Sequence, residues 1–293
     1  MYRKIMGFLE AWKESKHRKP LILQGARQVG KTYSILEFGR THYENVAYFN
    51  FETNPKLNET FEENISPDYL IPILSHIAGQ TIVKEKTLMV FDEVQLCERA
   101  LTSLKYFCEN APDYHIIVAG SLLGVAVNRT KFSFPVGKVD MKTLYPMDME
   151  EFMLALGEDD LVNQIKKCFQ TDTPLPSALH DAAMQLYRQY LVVGGMPECV
   201  MQFAGTKDYI LVRHTQDTIL ASYLNDMSKY NTLNEIKKTR LAYDNITVQL
   251  SKKNTRFQYK LIKKGGRASE FENAIEWLCL SGIVSQVYKV EQI

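Results

Sequence analysis

Residues 21–32, LILQGARQVGKT, constrain this chain more than any other stretch. Leu21-Ile22-Leu23 is an apolar run the size of a buried strand, and it leads directly into Gly25–Thr32, which fits the pattern G-x-x-x-x-G-K-[ST]. A helical stretch, Tyr33 to Phe38, follows, and Gly39 predicts its C-cap. Glycines at both ends let backbone N–H groups turn inward around an anion, and the following helix aims its positive N-terminus at the same point. A lysine at position 31 reaches the terminal phosphates of a nucleotide, and the hydroxyl of Thr32 helps to hold Mg²⁺. Average residue usage makes a chance match roughly one in a hundred in a chain of this length. The expected phosphate-binding set is Gly25, Ala26, Arg27, Gln28, Val29, Gly30, Lys31 and Thr32, with ATP and Mg²⁺ as ligands.

The residues around the loop alternate between strand and helix patterns. Ile5, Met6, Phe8, Leu9 and Trp12 share one helical face. Residues 46–51 (VAYFNF), 88–91 (LMVF), 115–119 (HIIVA) and 139–144 read as strands, and residues 100–109 as a helix that stops before Pro112. Strands separated by helices predict parallel βαβ units.

A phosphate loop alone admits kinases, GTPases and ATPases. The run Leu88–Phe91 ending in Asp92-Glu93 narrows the choice. An apolar strand ending in an acid has the form of a Walker B strand, which places Asp92 to support Mg²⁺ through water. Glu93 stands where a general base could orient and deprotonate an attacking water. That arrangement fits ATPases whose catalytic carboxylate directly follows Walker B. Ser121, after the 115–119 strand, is either a polar sensor of the terminal phosphate or a helix N-cap, and the residues alone leave both open. Asn50, near the end of the 46–51 strand, is a candidate to restrain Glu93.

Composition sets the outer bounds. The chain has 293 residues, 45% of them hydrophobic and 24% charged, which excludes a disordered chain, a collagen and a small disulfide scaffold. Five cysteines without a C-x-x-C pair predict a reducing cytosol and no zinc ribbon. The N-terminal apolar stretch is broken by Glu10 and followed by Lys13, Glu14 and Lys16, so no signal peptide is expected. No window approaches the length of a membrane span, and a cytoplasmic protein with no membrane partner is expected. The net charge of +1 is an average of segregated blocks. Residues 1–150 are balanced, 151–228 carry −5, 229–267 carry +9 and 268–293 carry −3. The basic block is either a nucleic-acid contact or a solvated or protein-facing surface, and the glutamates after it weigh against a groove-binding helix. Helical residues 233–250, a capping box at Ser269 and Glu272, a helix from Glu270 to about Leu280 stopped by Gly282, and an alternating 283–290 strand together suggest a winged-helix-like module.

These motifs together resemble a large family of prokaryotic AAA+-type ATPases with a compact AAA core and an uncharacterised C-terminal region. The residues that carry the resemblance are LILQGARQVGKT (21–32), YFNFE (48–52), FDEVQ (91–95), IVAGSLL (117–123), LYPMDMEEF (144–152) and YLVVGGMPE (190–198). The last two make the match specific, because phosphate binding in general does not require them. The resemblance implies an α/β P-loop NTPase fold: an AAA+-like, parallel five-stranded sheet flanked by helices, then a helical region, then the winged-helix-like module. It implies that Lys31 and Thr32 bind phosphate and Mg²⁺, Asp92 supports Mg²⁺, Glu93 activates water and Ser121 senses. Family members carry Gly-Arg before the strand that leads to L-Y-P, whereas this chain has Gly137-Lys138, which replaces a bidentate fork with a point charge; Arg129 is a weak substitute for an arginine finger. Members commonly continue into a nuclease-like domain, whereas this chain stops at Ile293 and reads as a short or truncated member, so nuclease activity is not assumed.

The expected domains are an ATPase core over 1–155, a helical region over 156–230 and the module over 231–293. The expected function is a Mg²⁺-dependent ATPase that couples hydrolysis to conformational change. The alternative is a nucleotide-gated switch with little turnover that presents its C-terminal region to a protein or DNA partner, alone or as an oligomer. A small-molecule kinase lacks a visible acceptor site.

Overall fold

The computed structural model describes residues 1–120, 135–230, 233–252, 256–263 and 265–288. Helix α1 (Ile5–Glu14) precedes strand β1 (Leu21–Gln24), helix α2 (Lys31–His42) and strand β2 (Asn45–Asn50). Helices α3 (Lys56–Glu63) and α4 (Pro67–Ala78) lead to β3 (Thr87–Asp92), then α5 (Glu98–Asn110), β4 (His115–Ala119) and β5 (Asp140–Thr143). The remainder is helical: α6 (Met149–Ala155), α7 (Asp159–Gln170), α8 (Ser177–Val193), α9 (Pro197–Thr206), α10 (Tyr209–Tyr230), α11 (Leu233–Leu250) and α12 (Ala268–Leu280).

The five strands form one sheet in the order β2-β3-β4-β1-β5, and every pair is parallel. Strand β4 therefore lies between the strand that feeds the phosphate loop and the strand that ends in Asp92. Strands β3 and β4 are buried throughout, as a parallel sheet covered on both faces requires. Alternate residues point to opposite faces. Ile22, Met89, Phe91, Ile116 and Val118 enter the core shared with α3, α4 and α5. Leu21, Leu23, Leu88, Val90, Ile117 and Ala119 enter the core shared with α1 and α2. In the first core, Phe91 meets Phe49, Phe51 and Phe61 edge-on with ring centroids 5.6–5.9 Å apart, a geometry that adds about 0.5–1.5 kcal/mol per pair beyond burial.

Four local expectations need correction. Gly39 does not stop α2, which runs on to His42. A Cβ there would lie 2.5 Å from Val46 Cγ2 and 3.1 Å from Leu88 Cδ2, so glycine serves helix-on-sheet approach instead of a cap. Ser269 and Glu272 form no capping box: α12 begins two residues earlier than expected, at Ala268, with Arg267 in the N-cap position and no side-chain cap. Gly282 does end that helix, in a left-handed turn (φ +75°) in which Ile283 N–H donates to Leu278 O at 3.0 Å. Residues 283–288 form no strand: Ile283 and Val284 pack half-buried against the α12 core, Val287 and Tyr288 are exposed, and the alternation has no partner ladder. No strand occurs among the described residues of 229–288, and the wing expected there is not seen. Its helical part packs Phe271, Ile275 and Leu278 of α12 against Met227 and Ala242. Ser121 and Arg129 lie outside the described residues.

Candidate functional site

The carboxyl ends of β1 and β3 open onto one cleft of about 900 Å³, the place where ligands bind in open parallel sheets. Gly30, Lys31, Thr32, Asp92 and Glu93 line it together with residues of α9 and the N-terminal segment. The structure thus brings together the two motifs, 60 residues apart in sequence.

The phosphate loop is shaped by backbone conformations that side chains resist. Gly25 has φ +148°, and a Cβ on it would lie 2.2 Å from the carbonyl oxygen of Leu144. Gly30 has φ +90° and forms the N-cap of α2. Gln28 also adopts positive φ, at +63°. The first N–H groups of α2 have no acceptor within the helix, and Gly30, Lys31, Thr32 and Tyr33 border the cleft.

Lys31 is buried, and its ammonium donates to the carbonyls of Gly25 (2.9 Å) and Ala26 (2.8 Å). Burial lowers its pKa to about 8, against the opposing pull of the Glu93 and Asp92 charges. A buried cation held by neutral carbonyls is suited to an incoming polyphosphate, which supplies the missing countercharge. Thr32 Oγ1 donates to Asp92 Oδ2 at 2.9 Å. A hydroxyl beside a carboxylate is a hard-oxygen donor pair that suits Mg²⁺, which takes one or two protein oxygens plus water and phosphate.

Three residues at this site were not assigned such contacts from sequence. Tyr48 donates its hydroxyl to Asp92 Oδ2 at 2.7 Å, and burial pushes its pKa up to about 12, so it stays a donor. Gln95 donates its amide to the Glu93 carboxylate. Arg3 is buried and borders the cleft. The first two sit inside YFNFE and FDEVQ, so the motif signal was present without the contact. Asn50 does not restrain Glu93. Its amide donates to Tyr48 Oη at 3.2 Å, and its carbonyl accepts from the backbone of Glu52 and Thr53. It stands beyond β3 on the edge strand, where it closes its own turn. Glu93 itself has φ +52°, a conformation uncommon for a non-glycine residue and one that recurs at active sites. Lys138 pairs with Glu109 at 2.9 Å, away from the cleft-lining residues.

The two segments unrelated to phosphate binding meet each other behind the loop. Met147 N–H donates to Gly195 O at 2.6 Å, and Tyr190 Oη donates to Met147 O at 2.8 Å. A Cβ on Gly195 would lie 2.1 Å from Met147 O, which excludes any side chain there. The contact sets the start of α9 beside the loop, with Pro197 Cγ 3.7 Å from a Cβ position on Gly30.

Residues 17–153 match the model of an AAA domain family. That stretch, somewhat under half of the chain, is thus similar to an AAA domain. Residues 184–293 match a second family model, a domain of unknown function (DUF8612). The chain is similar in fold to the Walker-type ATPase PABY2304 of Pyrococcus abyssi, with a TM-score of 0.55 at 14% identity over 96% of this chain and 89% of that one. Weaker similarities include the Aeropyrum pernix ORC2 protein, with a TM-score of 0.46 at 12% identity over 97% of this chain and 87% of that one. The Thermotoga maritima RuvB branch migration motor gives a TM-score of 0.40 at 13% identity over 97% and 88%. No curated protein matches the sequence. Among the described residues no helix is long and apolar enough to cross a membrane.

Proposed function

We propose that the protein binds ATP with Mg²⁺ in this cleft and hydrolyses it, and that the cycle changes the position of its C-terminal region. The observation that carries the reading is the convergence of Lys31, the Thr32–Asp92 pair and Glu93 on one cavity. Backbone N–H groups of Gly30–Thr32 and the Lys31 ammonium bind phosphate oxygens. Thr32 and Asp92 hold the metal, directly or through water, and the metal when bound neutralises charge on the phosphate oxygens. Glu93 orients a water and accepts its proton, once released from the Gln95 amide. Ser121 is kept as the candidate sensor.

The coupling part of the reading is supported by contacts between the loop and the C-terminal helices. Tyr223 Oη of α10 donates to Arg27 O at 2.8 Å, and Gln28 Nε2 donates to Ser222 Oγ at 3.2 Å. Gly282 lies against Ala26, where a Cβ would come within 3.0 Å of Ala26 N. We assign residues 1–155 to the ATPase core, 156–230 to the helical region and 231–293 to the terminal module. The Glu93–Gln95 contact favours a second reading, a nucleotide-gated switch with little turnover.

Turnover separates the two. The ATPase reading expects measurable hydrolysis by wild type, loss of nucleotide binding in Lys31→Ala, and binding without hydrolysis in Glu93→Gln. Equal turnover by wild type and Glu93→Gln would sink the role given to Glu93. Tight binding without turnover in wild type selects the switch.

A further inference from the structure

Arg3 is the one described residue that joins the N-terminus, the phosphate loop and the LYPMDMEEF segment through side-chain hydrogen bonds. It is 4% exposed, and its guanidinium donates in three directions. Nη1 donates to Val29 O of the phosphate loop at 2.7 Å, Nη2 to Tyr145 O at 2.8 Å and Nε to Glu151 Oε1 at 3.1 Å. Glu151 is buried too, and its other bonds are backbone: Lys4 N–H on Oε1 at 2.6 Å and Asp148 N–H on Oε2 at 3.2 Å. A buried arginine–carboxylate pair is costly to desolvate and weak evidence for stability by itself. Hydrophobic residues could fill the same volume without aiming three donors at two loop carbonyls and a carboxylate.

We propose that Arg3 is a positioning residue for the phosphate loop, which holds the Val29–Gly30 peptide in its nucleotide-binding orientation against the anchor of Glu151. The Val29 carbonyl and the Gly30 N–H lie in one planar trans peptide, so fixing the first fixes the direction of the second. A lysine cannot make all three bonds, because the planar fork is what reaches both carbonyls while Nε meets Glu151. The anchor also reaches α9. From Arg3 the path runs to Glu151 and α6, to Met147, and across its N–H to Gly195 just before α9, whose Pro197 borders the same cleft as Gly30.

The inference rests on the nucleotide-binding reading and is tested on the full chain by ADP titration, with ATP steady-state kinetics alongside. Arg3→Met and Arg3→Lys are expected to raise the ADP Kd and the ATP KM together, at least about tenfold for Arg3→Met, the scale of a lost charge-assisted bond to a buried acceptor. The fall in kcat is expected to be smaller than the rise in KM, and Arg3→Lys to recover part of the affinity. Glu151→Gln keeps the shape and the acceptor that faces Arg3 while removing the countercharge and the bond from Asp148 N–H, so it shifts Kd in the same direction by less and serves if Arg3→Met does not fold. A purely structural role would lower the active fraction and melting temperature with Kd and KM unchanged, and that result overturns the proposal. Failure of wild type to bind ADP overturns the nucleotide-binding reading and this inference with it. Wild-type binding matched by equal binding in the variants overturns this inference alone.

Discussion

At the scale of single residues, the site is defined by what burial does to charge. Lys31 has a pKa lowered by burial to about 8 from 10.5, so the folded apo protein binds fewer protons than the unfolded chain between those values. Its contribution to stability therefore rises with pH across that window and is least favourable below it. A bound polyphosphate reverses the balance by favouring the charged amine. Nucleotide affinity should thus be highest below about pH 8 and fall by up to about tenfold per pH unit above it, checked by titrating ADP from pH 7 to 9. Lys31→Ala should flatten that profile. His115 carries a second signature. Burial lowers its pKa to about 4, and its Nδ1 is 2.8 Å from Tyr43 Oη. The unfolded chain binds the extra proton first, so stability falls as pH drops from about 6.5 toward 4. Urea midpoints for wild type and His115→Gln should converge at acid pH if this group is responsible.

At the scale of elements, three glycines mark where backbone meets backbone or helix meets sheet. Gly25 and Gly195 face the carbonyl oxygens of Leu144 and Met147 at distances no Cβ tolerates, and Gly39 faces Val46 and Leu88. Gly195→Ala should lower stability by at least about 2 kcal/mol through forced backbone movement, measured by urea unfolding. If it also raises the ADP Kd, the displacement of α9 reaches the loop. The true capping box is Asp148 with Glu151, in which Asp148 Oδ1 accepts from Glu151 N–H at 2.9 Å. Asp148→Ala should cost about 1 kcal/mol as a lost N-cap. Phe91→Ala, at the centre of the ring cluster, should cost about 3–5 kcal/mol.

At the scale of the whole molecule, the phosphate loop is touched from several sides by distant sequence. Arg3, Pro197, Ser222, Tyr223 and Gly282 all reach it. Nucleotide binding should therefore change amide exchange in α9 and in α10 around Ser222, well outside the AAA domain, and unchanged exchange there would remove the coupling. The basic block carries exposed Lys237, Arg240, Lys252, Lys260, Lys263 and Arg267, with Lys263 paired to Glu270 at 3.5 Å. If duplex DNA binds this surface, log affinity should fall against log salt with a slope near about −0.9 per phosphate neutralised. No retention of labelled DNA even at low salt would remove the nucleic-acid reading.

The sequence by itself determined the local chemistry. Strand, glycine loop, lysine and helix are contiguous, and the apolar run ending in Asp92-Glu93 is local too, so their types and order could be read without a fold. The continuous burial of β1, β3 and β4 was likewise legible, because a parallel sheet covered on both faces demands continuous apolar strands. Only the tertiary structure decided which partners those residues take. Gln95 rather than Asn50 holds Glu93, since a turn two residues beyond a strand end competes for Asn50. Gly39 is a packing glycine rather than a cap because Val46 and Leu88 of the sheet lie across from it, a contact that depends on how α2 docks and not on the residues beside position 39. The apparent capping box at Ser269 and the strand pattern over 283–288 failed for the same reason, since a pattern fixes a propensity while a partner fixes the structure. Arg3 was invisible in sequence because its meaning lies in three acceptors 26 to 148 residues away. Contacts across such separations are made by the fold.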